Sequence, residues 1–180
     1  MTVLVAYASE RGSTREMAQH MASRMAVALG PVDCRSVEEV GSVSGYEAVI
    51  VGSAIHNQSW LPTAAQFLTR LAPELAKRPS WAFSVGMVDA LPKPFRKRAA
   101  ELQQKRLRGF LPQEIPLRGD TIFSGVYQSD QMPALLRVLF RLTGGRFGDL
   151  RNWAAVDAWT DEITAELAKP SSTSSGNITP

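Results

Sequence analysis

Wholly apolar runs alternate with amphipathic stretches along this chain, and the switching between the two periods predicts its elements. Val3 to Tyr7 is apolar throughout and is bounded by Ser9, Arg11 and Gly12, the pattern of a strand buried on both faces. From Ser13 to Leu29 the spacing becomes helical. Met17, Met21, Met25 and Ala28 recur at three or four, Arg15, Glu16 and Gln19 take the outer face, and Gly30-Pro31 stops the run. Asp33 to Val37 reads as a second strand and Ala48 to Gly52 as a third. Leu61-Pro62 opens a helix carrying Ala64, Phe67, Leu68, Leu71 and Leu75. Trp81 to Met87 is a fourth strand, Phe95 to Leu107 a basic helix, and Thr121 to Tyr127 a fifth strand. Pro133 to Leu142 and Trp153 to Leu167 read as the closing helices.

Strands alternating with helices predict right-handed β-α-β units, hence an α/β domain with a parallel sheet covered on both faces. Residues 1–169 form one domain in this reading. The Ser/Thr/Gly-rich residues 170–180 read as a disordered tail. A length of 180 residues suits one domain with one core, large enough to need no covalent staple.

Composition narrows the chemistry. Cys34 is the only cysteine, which rules out an internal disulfide and any multi-cysteine zinc or iron–sulfur site. No metal site is expected, and the cysteine usage fits a reducing cytoplasm. The opening apolar run lacks a basic leader and ends at polar residues, unlike a secretory signal. No run approaches the roughly 20 apolar residues of a membrane span. The formal charge of +3 is mildly basic and sets no partner by itself.

Open parallel sheets bind ligands at the carboxyl ends of their strands, which here places three loops together. The first is Ala8 to Thr14. Gly12 permits a tight turn, and the backbone N–H groups at Ser13 and Thr14, with the Ser9 and Thr14 hydroxyls, suit a phosphate group. They equally suit an ordinary helix cap. The loop is neither Gly-x-Gly-x-x-Gly nor a lysine-containing P-loop, which disfavours a dinucleotide or ATP. The second loop runs from Ser53 to Trp60 and the third from Gly86 to Leu91; together they could flank a flat ring. Trp60 is either a stacking residue or a packing residue. His56 is the single candidate acid/base and equally a surface turn residue. His20, on the first helix, reads as structural, and no Ser-His-Asp or Cys-His set can be assembled.

Tyr7-Ala8-Ser9-Glu10-Arg11-Gly12-Ser13-Thr14 resembles the FMN-phosphate loop of flavodoxins, a hydroxyl residue, two variable or Thr positions, Gly, any residue and Thr. Val51-Gly52-Ser53-Ala54-Ile55 and Phe83-Ser84-Val85-Gly86-Met87-Val88 fall where that family's two ring-binding loops begin. Leu142-Thr143-Gly144-Gly145 and the Trp153–Trp159 helix are similar to the flavodoxin-domain group that includes menaquinone-dependent protoporphyrinogen oxidase. The likeness spans about Val3 to Leu167. It implies a flavodoxin-like doubly wound sheet of five parallel strands in the order 2-1-3-4-5. It also implies FMN as cofactor, with Ser9, Arg11, Gly12, Ser13 and Thr14 at the phosphate. Ser53, Ala54, Ile55, His56 and Asn57, with Met87, Val88, Asp89 and Ala90, would border the ring. The sequence departs from the pattern at Glu10 and Arg11, where many flavodoxins have Thr. A carboxylate beside a phosphate is unfavourable unless it points away, and Arg11 either binds the phosphate or pairs with Glu10. The segment Gln128–Arg141 is less aromatic than in the oxidase group, and the chain lacks the acidity of carrier flavodoxins.

Two features lie outside the loops. Lys93, Arg96, Lys97, Arg98, Lys105, Arg106 and Arg108 cluster on one helix. They form either a solvated face or a site attracting a dicarboxylate or anionic lipid. Nucleic acid is not expected, since aromatics are not interleaved. The Leu135–Leu142 helix is apolar nearly all round and is expected to be buried under the Trp153 helix, with a membrane surface as the minor alternative. The resulting expectation is an FMN-dependent oxidoreductase with an unknown redox partner or small substrate. It would be cytoplasmic, with peripheral membrane or quinone contact as a lesser possibility. A non-enzymatic electron carrier and a flavin-free interaction module are the alternatives.

Overall fold

The computed structural model describes residues 1–129 and 133–169. The proposed tail at 170–180 and the short stretch 130–132 lie outside the described residues.

The chain begins with β1 (Val3–Ala8), α1 (Ser13–Leu29), β2 (Val32–Ser36) and β3 (Ala48–His56). It continues through β4 (Ser59–Trp60), α2 (Pro62–Leu75), β5 (Ser80–Gly86), a 3-10 turn (Val88–Ala90) and α3 (Lys93–Phe110). The last elements are β6 (Leu117–Ser124), β7 (Val126–Tyr127), α4 (Ala134–Leu142), β8 (Gly148–Asp149) and α5 (Trp153–Ala168). β2, β1, β3, β5 and β6 pair side by side in that order, all parallel. Counted as the five parallel strands alone, this is the expected 2-1-3-4-5 order. The additional strand β4 folds back on the end of β3.

Period-two alternation along β1 sends its side chains to two different cores. Val3 and Val5 pack with Met17, Met21 and Met25 of α1 and with Val156 and Ile163 of α5. Leu4, Ala6 and Ala8 pack with Phe67, Leu68, Leu71 and Leu75 of α2 and with Leu107 of α3. Both faces of the strand are therefore dry, which is why it reads as a continuous apolar run. On β3, Gly52 gives up its side chain to Phe83 of the neighbouring strand: a Cβ there would lie 2.0 Å from the ring. α5 is strapped to α1 by Arg24–Asp161 at 2.6 and 2.7 Å and by His20–Asp157 at 2.6 Å. His20 also lies 4.8 Å from the Trp153 ring, a structural position.

Three expectations change. The span read as one fifth strand is two: β6 ends at Ser124, Gly125 turns the chain, and β7 leaves to pair with β8. Ala28, on the inward period, is exposed, and Leu29 packs against the core in its place. The largest change is α4, which is not buried under α5. None of its residues is buried, because Trp153, Val156 and Ile163 of α5 are already spent on the α1 side of the sheet.

Cys34, on the edge strand β2, is half-buried, and desolvation pushes its thiol up to about 11. At pH 8, alkylation of the native protein is therefore expected to be slow and to accelerate sharply in denaturant. Above about pH 9 the unfolded chain releases this proton while the folded one keeps it, so stability should fall as pH rises toward 11. Equal labelling rates in the native and denatured states would contradict the burial.

Candidate functional site

The carboxyl ends of β1, β3, β5 and β6 converge on one cavity of about 370 Å³, a size suited to a small-molecule ligand. The loop after β1 supplies Glu10, Arg11 and Ser13, and the β3–β4 hairpin supplies Ala54 to Gln58. Val85, Gly86 and Met87 come from β5 and its exit, Gly125 to Tyr127 from the turn after β6, and Gln103 from α3.

Two glycines shape the floor. A Cβ on Gly125 would stand 2.7 Å from Val85 and 3.1 Å from the Ser13 hydroxyl, and one on Gly86 would stand 3.1 Å from Ile55. Gly125 N–H donates to the Gly86 carbonyl at 2.8 Å, fixing this close approach. The hairpin wall is a tight turn whose tip residues, Asn57 and Gln58, both sit at positive φ, 48° and 65°, a conformation that Asn tolerates better than most residues.

The first loop leaves polar groups without partners. Gly12, at φ 91°, ends the loop, and no side chain caps α1. The first helical N–H groups thus lack the usual partner. Thr14 is fully buried and its hydroxyl has no hydrogen-bond partner, an arrangement that costs stability unless something supplies an acceptor or donor. Gly12 N–H donates to the Ser9 hydroxyl at 3.1 Å, closing the turn on itself. An adjoining hollow is lined by Tyr7, Ser9, Arg11, Gly12, Arg15 and Ser36, with Glu10 at the boundary of both spaces. Arg11 and Arg15 form no ion pair among the described residues. Glu10 pairs with His56 Nδ1 at 3.0 Å, so the carboxylate is drawn across to the hairpin rather than held by Arg11. Both partners are exposed, so the pair acts by placement more than by strength.

Of the residues singled out in the sequence, Arg11, Ser13, Ala54, Ile55, His56, Asn57 and Met87 line the cavity. Ser9 and Gly12 line the adjoining hollow, and Thr14 lies beneath the loop. Ser53, Val88, Asp89 and Ala90 do not line the cavity. Ser53 is fully buried, donating to the Ala54 carbonyl and accepting from Leu61 N–H. Asp89 accepts from Ser124 at 2.7 Å, and Ala90 is packed away. Trp60 is no stacking platform: it is 7% exposed and its indole N–H donates to Ser84 at 2.8 Å inside the core. Ala54 to His56 are strand, not loop, because β3 runs on to pair with β4. Gln103 was missed because helical period places it on the face of a basic helix, with nothing to mark it as reaching the cavity. Gly125, Val126 and Tyr127 were missed because they read as the end of a strand.

A doubly wound parallel sheet with a cavity beyond its strand ends, beside an uncapped helix N-terminus, defines the flavodoxin-like class of α/β fold. The flavodoxin domain family profile matches residues 4–142, and the chain belongs to that family. The fold is similar to a flavodoxin from Pseudomonas aeruginosa (TM-score 0.56, 13% identity, 94% of this chain and 100% of that one). It is also similar to an NADH:FMN oxidoreductase (TM-score 0.58, 16% identity, 96% and 92%). A third likeness is to rubredoxin oxygen:oxidoreductase from Desulfovibrio gigas (TM-score 0.53, 17% identity), where this chain covers 37% of the larger protein and 93% of its own length. No curated protein sequence matches the chain.

The orphaned Thr14 hydroxyl gives a test with two signs. Thr14→Val keeps the shape and removes the unsatisfied group. The ligand-free protein should gain about 1 kcal/mol in urea denaturation, while affinity for FMN should fall by about 1–3 kcal/mol. Loss of stability together with unchanged FMN affinity would place the anion elsewhere.

Proposed function

We propose that this domain holds one FMN in the cavity at the strand ends and works as a flavin-dependent oxidoreductase. The observation that carries this reading is the buried, partnerless Thr14 hydroxyl under an uncapped helix N-terminus, next to a ring-sized cavity floored by Gly86 and Gly125. Ser9, Gly12, Ser13 and Thr14 would hold the phosphate, with Arg11 supplying charge. The β3–β4 hairpin and Met87 would border the ring on its two sides, with Gln103 and Tyr127 completing the wall. When bound, FMN supplies the electron and hydride chemistry.

The chain's own residues orient and enclose. His56 draws the Glu10 carboxylate to the rim and so lowers the cost of an acidic residue in a phosphate-binding loop. The tight hairpin fixes Asn57 at the cavity edge, where its side chain or backbone can meet a polar ring margin. His56 lines the cavity with its ring held by the Glu10 carboxylate, which places it to exchange a hydrogen bond or a proton with a bound substrate.

A small-molecule substrate is favoured over a docked carrier protein by the cations around the mouth. Arg11 lines the cavity and Arg15 the adjoining hollow, and both are exposed, which suits an anionic substrate. This is compatible with the protoporphyrinogen-oxidase-like reading, whose Leu142–Gly145 segment is tied to the loop after β5 by the bond from Arg146 N–H to the Ala90 carbonyl at 2.8 Å. The alternative is a flavodoxin-type electron carrier with the same cofactor.

Titration of the purified protein with FMN should quench flavin fluorescence at one equivalent and raise the melting temperature. A protein that neither carries nor takes up flavin would overturn the proposal. Given a bound flavin, turnover of an added small substrate with no partner protein present separates the enzyme from the carrier.

A further inference from the structure

α4 has the wrong face in water. Leu135 is 82% exposed and Leu142 79%, while Leu136, Val138 and Leu139 are each more than half exposed. At 3.6 residues per turn these five side chains spread over roughly 160° of the helix. Phe140, about 40° beyond Leu136 around the helix, holds it to the domain. Its ring meets Tyr127 at 6.1 Å and Phe147 at 5.1 Å, and Gly145 lies directly beneath it. A helix fastened by one aromatic, with an aliphatic arc turned outward, is an interaction surface rather than part of a core.

The C-terminal end of α4 is fixed to the start of α3. Arg146 N–H donates to the Ala90 carbonyl at 2.8 Å, and a Cβ on Gly144 would touch Pro92 at 3.8 Å. The first turns of α3 thereby bring Lys93, Lys97 and Arg98 into the same neighbourhood, with Phe95 62% exposed among them. Lys93, Lys97 and Arg98 form no ion pair among the described residues, and α3 carries seven basic residues against the single acid Glu101. Arg141 and Arg146, also exposed, continue the charge along the α4 segment.

We propose that α4 and the opening turns of α3 form one surface that docks on an anionic lipid bilayer. Aliphatic side chains flanked by lysine and arginine match the boundary between acyl chains and negative headgroups. A second copy of the same chain fits less well, because a two-fold contact through this face would set its cations against themselves. No helix among the described residues is long and apolar enough to cross a membrane, so the helix lies in the surface plane. Met87, 42% exposed, and Tyr127 connect this surface to the cavity, so docking would turn the mouth of the site toward the lipid. The surface exists whether or not flavin is bound, so its test is independent of the cofactor.

The full-length protein is spun with sucrose-loaded vesicles of phosphatidylcholine alone or mixed with phosphatidylglycerol. Partition onto the anionic vesicles at low salt should exceed that onto the neutral ones by at least about tenfold. The double variant L135E/L142E should lose at least about tenfold of it, and K93E/K97E should lose a similar factor with a weaker salt dependence. All four side chains are exposed, so far-UV circular dichroism should be unchanged. Failure to pellet at low salt, or pelleting that both variants retain, overturns the proposal. So does a concentration-dependent dimer that L135E/L142E abolishes while vesicle binding is absent, which would assign the face to a second copy.

Discussion

The structure depends on the burial of both faces of β1 and β3. Once α1 and α5 cover one side and α2 and α3 the other, the sheet has no free face for chemistry, and only its strand ends remain open. Every functional feature follows from that constraint. The parallel strands all end on the same side, so the loops after β1, β3, β5 and β6 must meet there. Dry packing of the strands fixes the bases of those loops, and the Gly86–Gly125 bond lets two of them approach closely enough to leave a floor without side chains.

Local chemistry accounts for how much of this could be read from residues alone. The strands that became the sheet's middle, Val3–Ala8 and Ala48 onward, are unbroken apolar runs, and the helices α1 and α2 carry strict apolar periods, so sequence and packing agree. The strand order followed from resemblance and from the pairing rules, not from any one segment. What escaped was long-range. β4 owes its existence to the turn at Asn57-Gln58, whose positive φ values have no Gly to announce them. Ser53 and Trp60 looked like site residues because they sit in the right loop, yet hydrogen bonds to Leu61 and Ser84 turn both inward. Gln103 joins the cavity because α3 packs against β4 and β6.

α4 shows the converse limit. Its composition is that of a core helix, and period alone cannot distinguish a buried face from one turned outward. The distinction is made elsewhere, by α5. The apolar side of α5 is committed to Val3, Val5 and Phe83, and the T-shaped contacts of Trp159 with Phe83 and Phe123 leave it no surface to offer α4. The aromatic cluster of Tyr127, Phe140 and Phe147 then anchors one side of the helix. Exposure of the rest is a consequence of competition for a finite core.

The same reasoning bears on Glu10. An acidic residue in the loop after β1 makes the local potential more negative at the place where the anion proposed above would need it positive. Arg11 and Glu10 are neighbours in sequence and would be expected to neutralise one another, which would leave the loop without net attraction. The structure resolves this by distance: Glu10 reaches across to His56 on the β3–β4 hairpin, and Arg11 keeps its charge. The price is a dependence of the loop on the hairpin, since Asn57 and Gln58 must hold their turn for His56 to stay in reach. The loop after β1 and the β3–β4 hairpin are thus coupled through one exposed pair, with its weight in geometry more than in energy.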